Sequence, residues 1–274
     1  MIVINKSDGV VEKKINIDDG KTTLRHGFQR FLNIKKITQP IVSVVHLKNS
    51  TILSIDNNQN SFLVKLKYVE GCLVSKCDLD PEVFYFELSK IHTCWHNRLG
   101  EDFLENLDWN YFSKKYWIYI NENEPDHPSI GFFKKYEEYI KLHFKPAICH
   151  NDIHFGNLIK MDGSGYCLLD LDEISISDFR NDIGVSCANI FFDKYKTPTE
   201  LIDFLKKSLS SYLLTSNILI VDVQICLIYG LRKLYNAEFF YKLTDKTSTS
   251  LQDILDQQEI YLSAIQEIEK RLLK

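Results

Sequence analysis

The chain has 274 residues, 45% of them hydrophobic and 26% charged, with a formal net charge of -4. This is the composition of an ordinary soluble globular protein with ample length to bury a core, and the acidic balance argues against a general binder of nucleic-acid polymers. Seven cysteines without a pairing framework point to a reducing, cytoplasmic setting, and no apolar run spans a bilayer, the stretch from Asn217 to Tyr229 being interrupted by Asp222 and Gln224.

The first residues, MIVINKSDG, are too short and too early charged for a signal peptide. Ile2-Val3-Ile4 and Val10-Val11 flank Lys6-Ser7-Asp8-Gly9, and Asp-Gly between apolar runs predicts a hairpin. Its second strand continues through Glu12-Lys13-Lys14-Ile15, where alternation puts Lys13 on the face of Val11 and Ile15. A helix is expected from about Thr22 to Leu32, weakened by Gly27 in its interior. Pro40 to Ser54 and Ser61 to Tyr68 read as two further strands around the polar turn Asp56 to Asn60. Tyr68-Val69-Glu70-Gly71 follows, which reads on its own as a strand end and a glycine turn.

Asp80-Pro81 opens a helix with an acidic cap and a proline in the first turn, and Val83, Phe84, Leu88, Ile91 and Trp95 recur at helical spacing. The aromatic segment Asp108 to Glu124 matches neither period, and Pro125 and Pro128 mark a loop. Ser129 to Phe144 is spaced for a helix. Pro146 to Cys149 and Leu158-Ile159 are apolar runs about a polar loop, which predicts a strand–loop–strand hairpin. After a turn at Met161 to Gly165, the run Tyr166 to Leu169 ends at Asp170. The loop brings Asp152 and Asn157 close in the chain, and Asp170 stands at a neighbouring strand end. Two carboxylates and an amide oxygen are hard ligands suited to Mg²⁺. An alternative makes Cys149, His150 and His154 a zinc cluster, but their spacing fits no common zinc pattern.

Helices are expected from Ile183 to Phe192, from Thr197 to Leu214 with Pro198 near its start, and over the amphipathic tail Ser250 to Lys274. Ile218 to Tyr241 carries Tyr229, Tyr235, Phe239, Phe240 and Tyr241. Aromatics at this spacing are core residues more often than a cage for an organic cation.

The segments HNDIHFGN, LLDLDE and SDFRNDIG together resemble the aminoglycoside phosphotransferase and choline kinase superfamily, the small-molecule branch of the kinase-like fold. That family shows a His-x-Asp-x-x-x-x-Asn loop, an Ile-Asp-x-x-Asp strand end and a Gly-Asp-Pro-x-x-Asp-Leu-Ala stretch; this chain has Asn151 for Gly, Phe155 for Pro and Phe179 for Pro. The resemblance implies a two-lobed α+β fold, with a reduced sheet lobe over residues 1–71 and a mainly helical lobe over 72–274. It implies ATP-dependent phosphorylation of a hydroxyl on a small-molecule acceptor, which needs metal ions across the phosphates and an aligned hydroxyl.

By that resemblance Asp152 is the catalytic base or hydroxyl-orienting carboxylate, Asn157 and Asp170 hold Mg²⁺ and Asp172 stands by to help. The three groups are expected to gather around a single divalent-ion pocket. His150 becomes a structural residue, and Asp182 braces the loop from the next helix. Lys13, with Lys14 as runner-up, reaches the nucleotide phosphates, and Tyr68 to Gly71 becomes the hinge, with Tyr68 and Glu70 beside the adenine. His92, one turn after Leu88, is a packed structural histidine. The usual first strand and glycine-rich lid are missing or replaced by the short turn, and Gly27 stands where a helix glutamate is common, with Gln29 as a neutral substitute. These departures favour an alternative reading, a pseudokinase that binds nucleotide or a partner without chemistry. A protein kinase is a third reading, but the loop lacks His-Arg-Asp. The acceptor classes open to the sequence are an amino alcohol, an aminoglycoside or a sugar, with Glu238, Asp245 and Asp253 available to a cationic one.

Overall fold

The computed structural model describes residues 2–5, 8–16, 32, 34–39, 47–58, 61–74, 79–98, 126–161, 165–244 and 250–272. The expected helix from Thr22 to Leu32, with Gly27 and Gln29, lies outside the described residues apart from its last position, as do residues 40–46, Asp108 to Glu124 and Asp245. In chain order the elements are β1 (Ile2–Asn5), β2 (Val10–Asn16), β3 (Leu47–Asn49), β4 (Ile52–Asn58), β5 (Ser61–Lys67), β6 (Gly71–Leu73), α1 (Pro81–Arg98), α2 (Pro128–Leu142), β7 (Pro146–Cys149), β8 (Leu158–Met161), β9 (Tyr166–Leu168), β10 (Ser175–Asp178), α3 (Phe179–Asn189), α4 (Pro198–Leu213), α5 (Ile220–Thr244) and α6 (Leu251–Leu272). Two compact units result. One comprises Met1–Ser75, Glu87–Asp108 and Phe155–Ile174, the other Lys76–Phe86, Trp109–His154 and Ser175–Lys274. The first is built on sheets and the second mainly on helices, which is the α+β class expected. No helix among the described residues is long and apolar enough to cross a membrane.

In the sheet unit, β1 and β2 form the expected hairpin, with Asn5 opposite Val10. Gly9 supplies the left-handed turn at φ +65°. The first sheet has the antiparallel order β1-β2-β5-β4. The second has the order β3-β9-β8-β6, with β3 parallel to β9. The stretch read as one strand to Ser54 is therefore two strands in two sheets. The handover is polar. Asn49 Nδ2 donates to Thr38 O at 2.7 Å and Ser50 O at 2.8 Å, Ser50 N–H to Leu168 O at 2.7 Å, and Thr51 O accepts from Lys67 N–H at 2.8 Å. Ile34, Ile37, Leu47, Ile52, Val64, Leu88, Ile91, Trp95, Leu158 and Leu168 are buried in this unit. At Gly71 an added Cβ would lie 2.1 Å from Lys160 O, so only glycine lets β6 lie against β8.

In the helical unit β7 pairs antiparallel with β10, Cys149 opposite Ser175 and Ile148 opposite Ile176. The expected hairpin of 146–149 with 158–159 does not form. β8 pairs instead with β9 across a short connection, the arrangement that antiparallel neighbours favour, while Asn151 at φ +66° turns the chain away after β7. α1 begins as expected, Asp80 Oδ1 accepting from Glu82 N–H at 2.9 Å. α4 carries a full capping box between Thr197 and Glu200. α3 begins four residues earlier than expected, because Asp178 caps it through Arg180 N–H at 3.0 Å.

α3 crosses α5 at two glycines. A Cβ on Gly184 would stand 2.2 Å from Cys226 O and 3.0 Å from Gly230 N, both backbone atoms. Gly184→Ala is expected to destabilise the protein by about 1–3 kcal/mol or more, as overpacking does. Gly131→Ala, where an added Cβ meets nothing within 4 Å on α2, should stabilise it by up to about 1 kcal/mol through helix propensity. Chemical denaturation of the two variants beside the wild type checks both signs.

Candidate active site

The sheet unit holds the groups assigned to nucleotide and metal. Lys13 lies on β2, opposite Ile2 and Val64. Its Nζ donates to Asp170 Oδ1 at 2.8 Å and to Asp172 Oδ2. Burial disfavours the Lys13 charge, but the two carboxylates outweigh it and its pKa is raised. Lys14, the runner-up, is exposed on the opposite face. Asp170 stands two residues past β9 in a left-handed conformation at φ +51°, uncommon for a residue with a side chain. Asn157 is buried at the start of β8. Leu158 faces Leu168 in the β8–β9 register, and Leu169 N–H donates to Asn157 O at 2.8 Å. Asn157 and Asp170 are thus brought to the same end of one hairpin, with Asp172 one turn on. Carboxylates and an amide oxygen at one hairpin end are a hard-oxygen donor set that fits Mg²⁺, and Lys13 neutralises part of its charge. Tyr68 N–H donates to Gly9 O at 2.8 Å; Tyr68 is half-buried and Glu70 exposed ahead of Gly71.

Asp152 belongs to the helical unit. His150 N–H donates to Asp182 Oδ2 and Asn151 N–H to Asp182 Oδ1, both at 2.7 Å. The carboxylate of Asp182, fully buried on α3, therefore holds the loop by two backbone donors, as expected. Asn151, where glycine is usual in the resembled family, adopts a positive φ, a conformation that asparagine tolerates better than most residues with a side chain. Its side chain secures that turn, donating to Cys149 O at 3.1 Å and Ser175 Oγ at 2.9 Å and accepting from Asn181 Nδ2 at 2.8 Å. Arg232 Nη2 in turn donates to Asn181 Oδ1 at 2.9 Å. Cys149 packs its buried sulfur toward Asp178 O at 3.4 Å, and burial, with Asp182 and Asp178, pushes the thiol pKa well up. That environment disfavours the thiolate a zinc ligand requires.

Sequence reasoning missed Lys233. Its Nζ on α5 lies 2.9 Å from Asp152 Oδ1, while His154 Nε2 stands 3.4 Å from Asp152 Oδ2. Burial alone would raise the Asp152 pKa, but His154 and Lys233 outweigh it and hold the carboxyl well below its usual range. A carboxylate so strongly ionised is suited to orienting a hydroxyl and is a weak abstractor of its proton. No local signal in the sequence marks Lys233. It sits 81 residues from Asp152 within an aromatic helix.

The fold is that of the kinase-like small-molecule phosphotransferases. An ethanolamine kinase of Plasmodium vivax is similar over 96% of this chain and 77% of its own, at 14% identity and a TM-score of 0.56. Amicoumacin kinase, solved with AMP-PNP, Ca²⁺ and Ami, is similar over 96% of this chain and 82% of its own, at 16% identity and a TM-score of 0.57. Spectinomycin phosphotransferase, solved with ADP and spectinomycin, covers 95% of this chain and 86% of its own, at 12% identity and a TM-score of 0.53. Residues 92–208 match the phosphotransferase enzyme family, a span that contains Asp152, Asn157, Asp170, Asp172 and Asp182. The resemblance read from the loop and strand-end motifs is borne out, the matched span containing all three segments that carry it. No curated protein matches the chain significantly.

Asp182→Ala would orphan the N–H groups of His150 and Asn151, and each buried donor left unpaired costs about 1–3 kcal/mol. Asp182→Asn, which keeps one acceptor oxygen, should lose roughly half as much. Urea denaturation is the measurement, and equal losses for the two variants would contradict the assigned role.

Proposed function

We propose that this protein transfers the γ-phosphoryl group of ATP to a hydroxyl of a small molecule, an amino alcohol, an aminoglycoside or a sugar. The observation that carries the reading is the ion cluster of Lys13 with Asp170 and Asp172, which unites residues 157 and 159 positions apart. A strand lysine and strand-end carboxylates are the groups that phosphoryl transfer requires for the phosphates and their metal. Residues 1–71 would form the nucleotide lobe ending in the hinge, where Tyr68 and Glu70 flank the adenine edge, and residues 72–274 the catalytic and acceptor lobe. Free thiols and ATP suit a cytoplasmic setting.

In this reading Asp152 accepts a hydrogen bond from the acceptor hydroxyl and aligns it. The acceptor oxygen bonds to the γ-phosphorus as the bond to the β,γ-bridging oxygen breaks. ADP leaves, and the hydroxyl proton passes to Asp152. Asn157 and Asp170 would hold Mg²⁺, which when bound neutralises charge on the phosphates.

Phosphoryl transfer is expected to require a divalent cation. Asp170→Ala should lower kcat by about 10³-fold or more through loss of the carboxylate that holds the ion. Asp152→Asn should lower it by about 10²–10⁴-fold, the usual contribution of a positioned acid or base, while ATP binding survives. An ATP-consumption screen over the three acceptor classes, with circular dichroism to confirm folding, supplies the test. Near-full activity of Asp170→Ala would refute the metal assignment, and ATP binding without turnover on any acceptor would favour the binding-module reading.

A further inference from the structure

We infer that Lys233 is a specificity-determining residue and that the acceptor is a sugar or polyol with no amino group beside its reactive hydroxyl. The inference rests on the kinase reading and deepens it. The carboxylate that would receive the hydroxyl already faces a fixed ammonium, Lys233 Nζ at 2.9 Å, and an imidazole, His154 Nε2 at 3.4 Å. Lys233 is held there with 24% of its side chain exposed. In a 1,2-amino alcohol or amino sugar only two carbons separate nitrogen from reactive oxygen, so its ammonium would enter a site where Lys233 already neutralises Asp152 and would compete with Lys233 for that carboxylate. Two unit charges about 4 Å apart, partly screened by solvent, cost roughly 10- to 100-fold in affinity.

Among the described residues, two of the acids that the sequence offered to a cation already have partners, Asp245 lying outside those residues. Glu238 accepts from Lys242 at 2.7 Å and from Gln258 Nε2 at 2.8 Å. Asp253 accepts from Ser250 Oγ at 2.7 Å at the start of α6. Of the aromatic set, Tyr229, Tyr235 and Phe239 are 0%, 5% and 2% exposed and belong to the core, so they form no cage for an ammonium. Lys233 has three N–H donors and Asp152 takes one of them; the others suit the oxygen of a neighbouring hydroxyl or carboxylate. A polyol satisfies this arrangement and an amine opposes it.

The test uses the full chain with Mg²⁺ and ATP on acceptor pairs that differ in one group: glucose and glucosamine, glycerol and 3-amino-1,2-propanediol, with ethanolamine and gluconate alongside. ADP release is measured as kcat/KM. The hydroxyl or acidic member of a pair is expected to exceed the amine by at least about tenfold. Lys233→Met should narrow that ratio by about tenfold, and Lys233→Arg, which keeps the charge, should preserve it. Wild-type preference for the amine members, or a ratio unmoved by folded Lys233→Met, overturns this inference and leaves the kinase reading standing. Transfer to no acceptor by protein that binds ATP overturns the kinase reading, and this inference with it.

Discussion

The grip of the Asp182 carboxylate on two successive backbone amides is the constraint on which the loop carrying Asp152 depends. A buried carboxylate survives desolvation only where donors converge on it, and here the convergent donors are His150 and Asn151 N–H, the residues immediately before Asp152. The grip comes from α3, so the aim of Asp152 is tied to a packed helix. α3 is itself fixed from beneath. Arg180, fully buried, donates to Asp178 Oδ1 and Asp222 Oδ1, each at 2.7 Å, and to His143 O. Lys145 Nζ reaches the same Asp222 at 2.8 Å. Burial works against the Arg180 charge, but Asp178 and Asp222 outweigh it. Loss of any one member would leave an uncompensated buried charge, which is why such clusters fix geometry more surely than they add stability.

Each unit balances its chemically important acids with a lysine. In the sheet unit Lys13 stands on Asp170 and Asp172, and any cation drawn to those carboxylates competes with an ammonium already present. In the helical unit Lys233 stands on Asp152. The consequence for chemistry differs between the two. A metal-binding carboxylate must be ionised, and a neighbouring ammonium keeps it so without blocking all its oxygens. A proton-accepting carboxylate loses basicity when its pKa is depressed. That loss is tolerable where the transition state is loose and the acceptor needs alignment more than deprotonation.

Much of this was legible in the sequence because the signals are local. The hairpin at Asp8-Gly9, the caps at Asp80 and Thr197, and the order of loop, strand end and helix are each contained within a few residues. Strand pairing is not. Pro146 to Cys149 has the same apolar look whether its partner is Leu158 or Ile176, and the choice of β10 rests on the turn at Asn151 and the anchoring of α3, which no pattern of alternation encodes. The early start of α3 is not legible in Ser-Asp-Phe-Arg-Asn-Asp, which lacks apolar periodicity and depends on Arg180 being buried between Asp178 and Asp222. Asn151, a departure from the resembled family's usual glycine, takes a positive φ that glycine adopts without strain.

Lys233 shows why the motifs are readable in the sequence and the charges around them are not. The reaction needs a fixed set of groups in a fixed order along one loop and one strand, so its signature is compact. Selectivity depends on which charges are left uncommitted near the reactive carboxylate, and that is a property of the whole helical unit. Glu238 looks available in the sequence, yet Lys242 one turn later on α5 and Gln258 on α6 occupy it. Lys233 looks in sequence like a solvated charge on an aromatic helix, yet with the surrounding α5 residues buried its Nζ pairs with Asp152. The same acidic chain is therefore locally neutralised at the group that would receive the acceptor, and net charge alone points to the opposite choice of substrate.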